Sequence, residues 1–157
     1  MITAKFGGTS LCDASHFQTV REILSRREDR RFVVVSAPGK RFGDDVKITD
    51  QLYRCHQEAR QGGQVEAAFA PVATRFREIV AGLGLSLDLE EEFRATLWAM
   101  ERGAGQAFCA SRGEYFSARI MAALLDLPFL DPAQCTFFDQ SGQFDGEAAQ
   151  DTLAEKL

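Results

Sequence analysis

The sequence predicts an α/β domain built around a mainly parallel sheet, on the strength of three observations. An apolar, strand-like segment at residues 2–6 is followed by a helical segment at residues 15–27 and by a second apolar run, Phe32 to Val35. A strand, a helix and a strand within about 35 residues are typical of a βαβ unit with parallel strands. The second run is rich in β-branched residues, which indicates a strand buried on both faces, and we expect the first strand to be buried as well.

Helical periodicity continues along most of the remaining chain. At the first helix, Ser15 with Gln18 fits an N-terminal capping box. Two long helices over about residues 64–103 predict a helical excursion from the sheet. The other predicted elements are a helix over residues 48–60, a helix from near Ser111, short strands around Phe129 and Phe137, and a last helix that Asp145 caps.

The predicted alternation of strands and helices stops at a helix at the end of the sequence. The last predicted helix reaches Leu157 with no glycine or asparagine C-cap and no strand after it. A crossover helix in an α/β layout delivers the chain to another parallel strand. We therefore expect the sheet to be incomplete in this chain.

Composition and charge limit the classes of partner. The net charge of −5 leaves no basic excess to neutralise nucleic-acid phosphates, and no apolar run has membrane length. We expect neither a nucleic-acid nor a membrane partner. The cysteines Cys12, Cys55, Cys109 and Cys135 form no Cys-x-x-Cys pair, which favours reduced thiols in a cytoplasmic protein over a zinc site.

The first segment that could carry chemistry is "KFGGTS", near the start of the chain. Backbone N–H groups in a glycine turn can bind an anion, and glycine lets the backbone approach a phosphate closely. Lys5, before Gly7 and Gly8, would add a point charge for a phosphoryl group. The alternative is a tight strand-to-helix turn with Lys5 at the surface. A Walker A loop is excluded, because it would need glycine where Val34 stands.

The second segment, "VVVSAPGKR", places Ser36 at the end of a predicted strand. Ligands of open parallel sheets bind outside the carboxyl ends of the strands, so two small polar loops at strand ends predict a site there. The alternative is a plain loop. Further on, Thr49 in "KITDQL" is either a helix N-cap or a hydroxyl for a substrate carboxylate.

Other polar residues have simpler interpretations. In "SRGE", Ser111 and Glu114 fit a capping box, although Glu114 could instead bind a substrate ammonium group. The acidic residues Asp44, Asp45 and Asp50 do not match an EF-hand loop and favour a solvated turn. His16 and His56 are interpreted as surface or packing residues, and no metal ligand is predicted.

Together and in this order, "KFGGTS", "VVVSAPGKR", "KITDQL" and "SRGE" resemble the first half of an aspartokinase catalytic domain, in the amino-acid kinase family. The resemblance runs along essentially the whole chain. It implies an αβα sandwich around a mainly parallel sheet. It also implies transfer of the γ-phosphate of ATP, bound with Mg²⁺, to the β-carboxylate of L-aspartate. The product, 4-phospho-L-aspartate, is the first intermediate towards lysine, threonine and methionine.

The resemblance also implies roles for individual residues. Lys5 would neutralise the transferred phosphoryl group. Ser36 and Thr49 would lie beside aspartate, and Glu114 would bind its α-amino group. The cradle around the phosphoryl group would be shaped by Gly7, Gly8 and Ser10. A carboxylate nucleophile is already ionised at pH 7, so the reaction depends mainly on positioning and charge neutralisation.

The second half of the family's catalytic domain is missing from this sequence. That half would contribute an Arg-Gly-Gly-Ser-Asp segment and the adenosine pocket, and small regulatory domains are missing too. We therefore expect residues 1–157 to be the N-terminal lobe of an enzyme of identical subunits, inactive alone. Two alternatives stay open: a short non-enzymatic homologue that binds an amino acid or a partner subunit, and a kinase for another small carboxylate.

Overall fold

The computed structural model describes residues 2–156 and divides them into two compact units, one up to Leu127 and one from Pro128. The first unit begins with β1 (Ile2–Phe6), α1 (Ala14–Ser25) and β2 (Arg30–Val35). It continues with four helices, α2 (Ile48–Gln61), α3 (Val65–Gly82), α4 (Glu90–Glu101) and α5 (Gln106–Leu125). The second unit contains α6 (Gly146–Lys156).

The βαβ unit predicted from the opening residues is present. β1 and β2 pair in parallel, with Lys5 opposite Val34 and Phe6 opposite Val35. The predicted α/β class with a parallel sheet is therefore confirmed. A parallel pair also brings the carboxyl ends of both strands to one edge, where the two polar loops begin.

The burial predicted for the two strands is wrong. Ala4, Phe6 and Val33 pack against the hydrophobic core, whereas Lys5 is exposed and Val34 is 46% exposed. Successive side chains of a strand point to opposite faces. Among the described residues of the first unit the helices cover one face, so the alternate residues, including Lys5, lie on the open face.

A cluster of phenylalanine rings joins the three helices α3, α4 and α5. The ring of Phe116 lies 4.9 Å from that of Phe93, 5.1 Å from that of Phe76 and 6.4 Å from that of Phe69, between centroids. All four side chains are buried. Because Phe116 lies two residues after Glu114, this cluster fixes the position of the segment of α5 that carries Glu114.

The first helix starts differently from the prediction. α1 is capped by Asp13, whose Oδ1 accepts the N–H of His16 at 3.0 Å, and Ser15 donates its hydroxyl to the same oxygen at 2.7 Å. The proposed capping box of Ser15 and Gln18 is therefore wrong. The carboxylate of Asp13, two residues before Ser15, accepts the free N–H group instead.

In the second unit, the short strands expected around Phe129 and Phe137 are not found among the described residues. An isolated antiparallel bridge joins Phe138 and Phe144 instead. The predicted cap of the last helix is confirmed, because Asp145 Oδ1 accepts the N–H of Ala148 at 3.0 Å.

All four cysteines are buried free thiols. Burial, and to a lesser degree the neighbouring Cys109, raises the pKa of Cys55 to about 11, so this thiol stays neutral and unreactive near pH 7. None of the helices among residues 2–156 combines the length and the apolar character needed to cross a membrane.

Candidate functional site

Two loops meet where β1 and β2 end. We call residues 7–12 the first glycine loop and residues 36–40 the second glycine loop. Ser36 donates its N–H to the carbonyl of Phe6 at 3.1 Å, and Gly39 donates its N–H to the carbonyl of Gly8 at 2.8 Å. The segments "KFGGTS" and "VVVSAPGKR", which the sequence predicts to form a ligand site, are thus hydrogen bonded to each other.

Gly8 and Gly39 are required by this close approach. A β-carbon on Gly8 would lie 2.7 Å from the carbonyl oxygen of Ala37, and one on Gly39 would lie 2.9 Å from the carbonyl of Gly8. Gly7 differs, because a β-carbon there would meet nothing within 4 Å. Gly8 therefore has a structural role in joining the loops, whereas Gly7 borders open space.

This contrast predicts opposite effects of one substitution at adjacent positions. Gly8→Ala is expected to lower the free energy of unfolding by about 1–3 kcal/mol, because backbone atoms cannot move aside at little cost. Gly7→Ala is expected to change it by about 0.5 kcal/mol or less. Urea denaturation of both variants measures the difference. Equal destabilisation by the two substitutions would contradict the assignment of separate roles.

The first glycine loop offers unused hydrogen-bond donors. The N–H groups of Gly7 and Gly8 donate to no acceptor within residues 2–156. Lys5, which is exposed and lies two residues before Gly7, makes no hydrogen bond or ion pair with any residue of that range. Ser10 is exposed and donates its N–H to the carbonyl of Gly7 at 3.0 Å. An ammonium group followed by free backbone N–H groups can bind an anion.

α5 packs against the second glycine loop at Gly113. A β-carbon on Gly113 would lie 2.6 Å from Cβ of Ala37 and 3.2 Å from Cγ2 of Ile48. Ile48, the first residue of α2, also donates its N–H to the carbonyl of Pro38 at 3.2 Å. Glycine at position 113 therefore allows α5, the start of α2 and the second glycine loop to meet.

The three predicted substrate-binding residues flank this contact. Glu114 follows Gly113, Ser36 precedes Ala37 and Thr49 follows Ile48 along the chain. The contacts of Gly113 therefore bring together the backbone segments that carry Ser36, Thr49 and Glu114, although Ser36 and Glu114 are 78 positions apart in the sequence (114 − 36 = 78). Lys5, Gly7 and Gly8 lie on the adjoining first glycine loop and its strand.

The capping interpretations of Glu114 and Thr49 are both wrong. α5 begins at Gln106, so Ser111 lies inside the helix and its hydroxyl donates to the carbonyl of Phe108 at 2.8 Å. Lys47, and not Thr49, is the cap residue of α2. Glu114 is exposed and has no hydrogen bond or ion pair within the described range. Its carboxylate is therefore available to a ligand.

A buried ion pair supports both loops. The guanidinium of Arg75, on α3, is 3% exposed and donates through Nη2 to both oxygens of Asp45, at 2.7 and 2.9 Å. Asp45 also accepts from the backbone N–H of Arg41 at 2.9 Å and from its Nε at 3.0 Å. Hydrogen bonding from Arg41, with the nearby charge of Arg75, holds the pKa of Asp45 well below its usual range.

This ion pair changes the interpretation of Asp45 and adds Arg75 to the residues that support the site. Asp45 is buried, so the solvated-turn interpretation is wrong for this residue, whereas Asp44 and Asp50 are exposed. Arg75 was not identified as a site residue. A signal was present, because Arg75 falls on the apolar face of its helix with Val72 and Phe76. A charged residue at such a position requires a buried partner.

One group of metal-ligand type side chains occurs among the described residues. Cys12, Asp13 and His16 bring their ligand atoms within 4.8 Å of one another. Hydrogen bonding explains their proximity, because Nδ1 of His16 lies 2.8 Å from Oδ1 of Asp13, the cap of α1. A thiol and an imidazole do not suit Mg²⁺, which prefers oxygen ligands.

Comparisons with known proteins show the family and the fold of the chain. A model of the amino acid kinase family matches residues 1–156. Aspartokinase 3 of Bacillus subtilis (strain 168) is 33% identical over 103 residues, which are 66% of this chain and 23% of the relative. The crystal structure of aspartate kinase from Clostridium acetobutylicum superposes with a TM-score of 0.95 and 36% identity, over 100% of this chain and 36% of that chain.

A more distant structure shows the same fold. Aspartokinase III of E. coli, solved in complex with aspartate and ADP, has a TM-score of 0.77 and 19% identity. The match covers 99% of this chain and 37% of that chain. The present chain thus spans about a quarter to a third of the relatives it matches, namely 23% of the Bacillus protein and 36% of the Clostridium protein.

Proposed function

Because the chain belongs to the amino acid kinase family, we propose that it forms the phosphate-binding and aspartate-binding part of an aspartate kinase. The reaction would transfer the γ-phosphoryl group of ATP to the β-carboxylate of L-aspartate and give 4-phospho-L-aspartate. The observation that carries this proposal is the unpaired ammonium of Lys5, two residues before Gly7, together with the free N–H groups of Gly7 and Gly8. The similarity to the Clostridium aspartate kinase supports the choice of substrate.

On the phosphate side, every available donor suits a phosphoryl group. The Lys5 ammonium carries a positive charge, the N–H groups of Gly7 and Gly8 have no acceptor among the described residues, and a β-carbon on Gly7 would meet nothing within 4 Å. Such groups stabilise the negative charge on a phosphoryl group in transfer. Mg²⁺ bound with ATP would neutralise further phosphate charge. These donors fit phosphate oxygens and not the metal, so we assign no Mg²⁺ ligand to them.

On the substrate side, the available groups match the ends of an amino acid. The carboxylate of Glu114 is complementary to an α-ammonium group, and the hydroxyl groups of Ser36 and Thr49 can donate to carboxylate oxygens. The β-carboxylate of aspartate is ionised at pH 7 and needs no general base. The task of these residues is therefore to hold that carboxylate in line with the phosphoryl group on the Lys5 side.

The direct test is trapping of the acyl phosphate as a hydroxamate. The protein made from its complete gene is incubated with Mg²⁺-ATP, hydroxylamine and either L-aspartate or succinate, which is aspartate without the ammonium group. We expect ATP-dependent hydroxamate with aspartate and much less with succinate. Absence of product with aspartate would contradict the proposal. Preference for another small carboxylate would identify a different kinase, and amino-acid binding without turnover would indicate a non-enzymatic protein.

Glu114→Gln is expected to raise KM for aspartate by roughly 10- to 100-fold, the value of one charge-assisted hydrogen bond, with a smaller effect on kcat. The free energy of unfolding should change by about 0.5 kcal/mol or less, because the exposed carboxylate caps no helix. Steady-state kinetics and urea denaturation measure the two quantities. Glu66→Gln, an exposed glutamate on α3, is the control. A large stability loss with unchanged KM would contradict substrate binding by Glu114.

A further inference from the structure

We propose that Arg75 is a positioning residue that sets the separation between the two glycine loops, an inference that rests on the proposed function. One nitrogen of its guanidinium, Nη1, donates to the carbonyl of Cys12 and to the carbonyl of Gly39, each at 3.3 Å. Cys12 ends the first glycine loop and Gly39 belongs to the second. A single buried side chain thus holds both loops.

The position of the Arg75 guanidinium is itself fixed. Its other terminal nitrogen, Nη2, donates to both carboxylate oxygens of Asp45. Asp45 is held in turn by the backbone N–H of Arg41, which directly follows the second glycine loop. The planar guanidinium has donors in a fixed arrangement, which a lysine ammonium lacks. Arg75 therefore attaches α3 to both loops with a defined geometry.

The separation of the loops determines the distance between the two halves of the candidate site. The first loop carries the free N–H groups of Gly7 and Gly8, and the second carries Ser36 beside the substrate region. In-line transfer requires the carboxylate and the phosphoryl group to lie at a set distance, and a displacement of about 1 Å can cost about 10²-fold in rate. Arg75 has its side chain 3% exposed and is directed at protein groups, so it acts through the loops.

The test compares Arg75→Lys with Arg77→Lys in the protein made from its complete gene. Arg77 lies on the same helix but is about half exposed, and it pairs with Glu90 at 2.6 Å. For Arg75→Lys we expect kcat for acyl-phosphate formation to fall about 10²-fold at a temperature where the variant is fully folded. We expect Arg77→Lys to stay within about twofold of the wild type. A folded Arg75→Lys protein with wild-type kcat and KM would overturn the proposal.

Amide hydrogen exchange separates positioning from general destabilisation and from the proposed reaction. The N–H of Gly39, which bonds to the carbonyl of Gly8, should exchange about tenfold faster in Arg75→Lys, while amides in the middle of α5 keep their rates. An unchanged rate at Gly39, or a uniform acceleration throughout the protein, would overturn the positioning role. If the wild type makes no acyl phosphate, the proposed function fails, and the exchange rate at Gly39 still decides the role of Arg75.

Discussion

Replacement of Lys5 by alanine is expected to lower kcat for acyl-phosphate formation by about 10²- to 10³-fold, the usual cost of removing one group that stabilises transition-state charge. KM for aspartate should change little, because we propose that Lys5 binds the phosphoryl group and not aspartate. Initial-rate kinetics with aspartate and ATP varied separately measure both constants.

The stability of the Lys5→Ala protein should be close to that of the wild type. The side chain is exposed and makes no hydrogen bond or ion pair within residues 2–156, so about 0.5 kcal/mol or less is expected. Arg31→Ala is a matched control, because Arg31 is an exposed cation near the opposite end of the same sheet. An equal loss of kcat in both variants would show a general effect of charge. Wild-type kcat in Lys5→Ala would remove Lys5 from the reaction.

The second large effect is on stability. Asp45→Ala should lower the free energy of unfolding by about 3–5 kcal/mol, because it leaves the guanidinium of Arg75 buried without a countercharge. Asp44→Ala, a change at the exposed neighbouring position, should cost about 0.5 kcal/mol or less. Chemical denaturation at pH 7 measures both. Similar values for the two variants would show that the buried ion pair does not stabilise the fold.

The same pair predicts a dependence on pH. The pKa of Asp45 in the folded protein lies well below its usual range, through hydrogen bonding from Arg41 and the charge of Arg75. The unfolded chain takes up this proton near pH 4, so the stabilisation by Asp45 is complete above that pH and is lost as the pH falls further. The difference in stability between wild type and Asp45→Ala should therefore shrink below about pH 4. A difference that is constant down to pH 2 would contradict this origin.

The parallel strands and the two loops at their ends could be predicted, because short segments of the sequence determine them. Two apolar runs with a helix between them specify parallel strands, and their polar loops must then meet at one edge. The burial of the strands was predicted wrongly. The apolar run that ends at Val35 predicts a strand buried on both faces. Whether a helix covers each face depends on tertiary packing, which the residues of the strand alone do not determine.

The start of α5 illustrates another limit. Gly105 precedes the helix without a side-chain cap, whereas Ser111 and Glu114, six and nine residues later, carry a strong capping pattern. The ring contacts of Phe116 outweigh this local pattern, so the helix continues through it. Arg75 could not be paired from sequence alone, because its partner Asp45 lies 30 residues away in a loop.

The most direct test of the central claim is a crystal structure of the protein made from its complete gene, with L-aspartate and a non-hydrolysable ATP analogue. We expect the α-ammonium group of aspartate at Glu114, its carboxylates near Ser36 and Thr49, and the terminal phosphate at Lys5 and the N–H groups of the first glycine loop. Aspartate bound elsewhere, or phosphate bound away from Lys5, would contradict the assignment of this site.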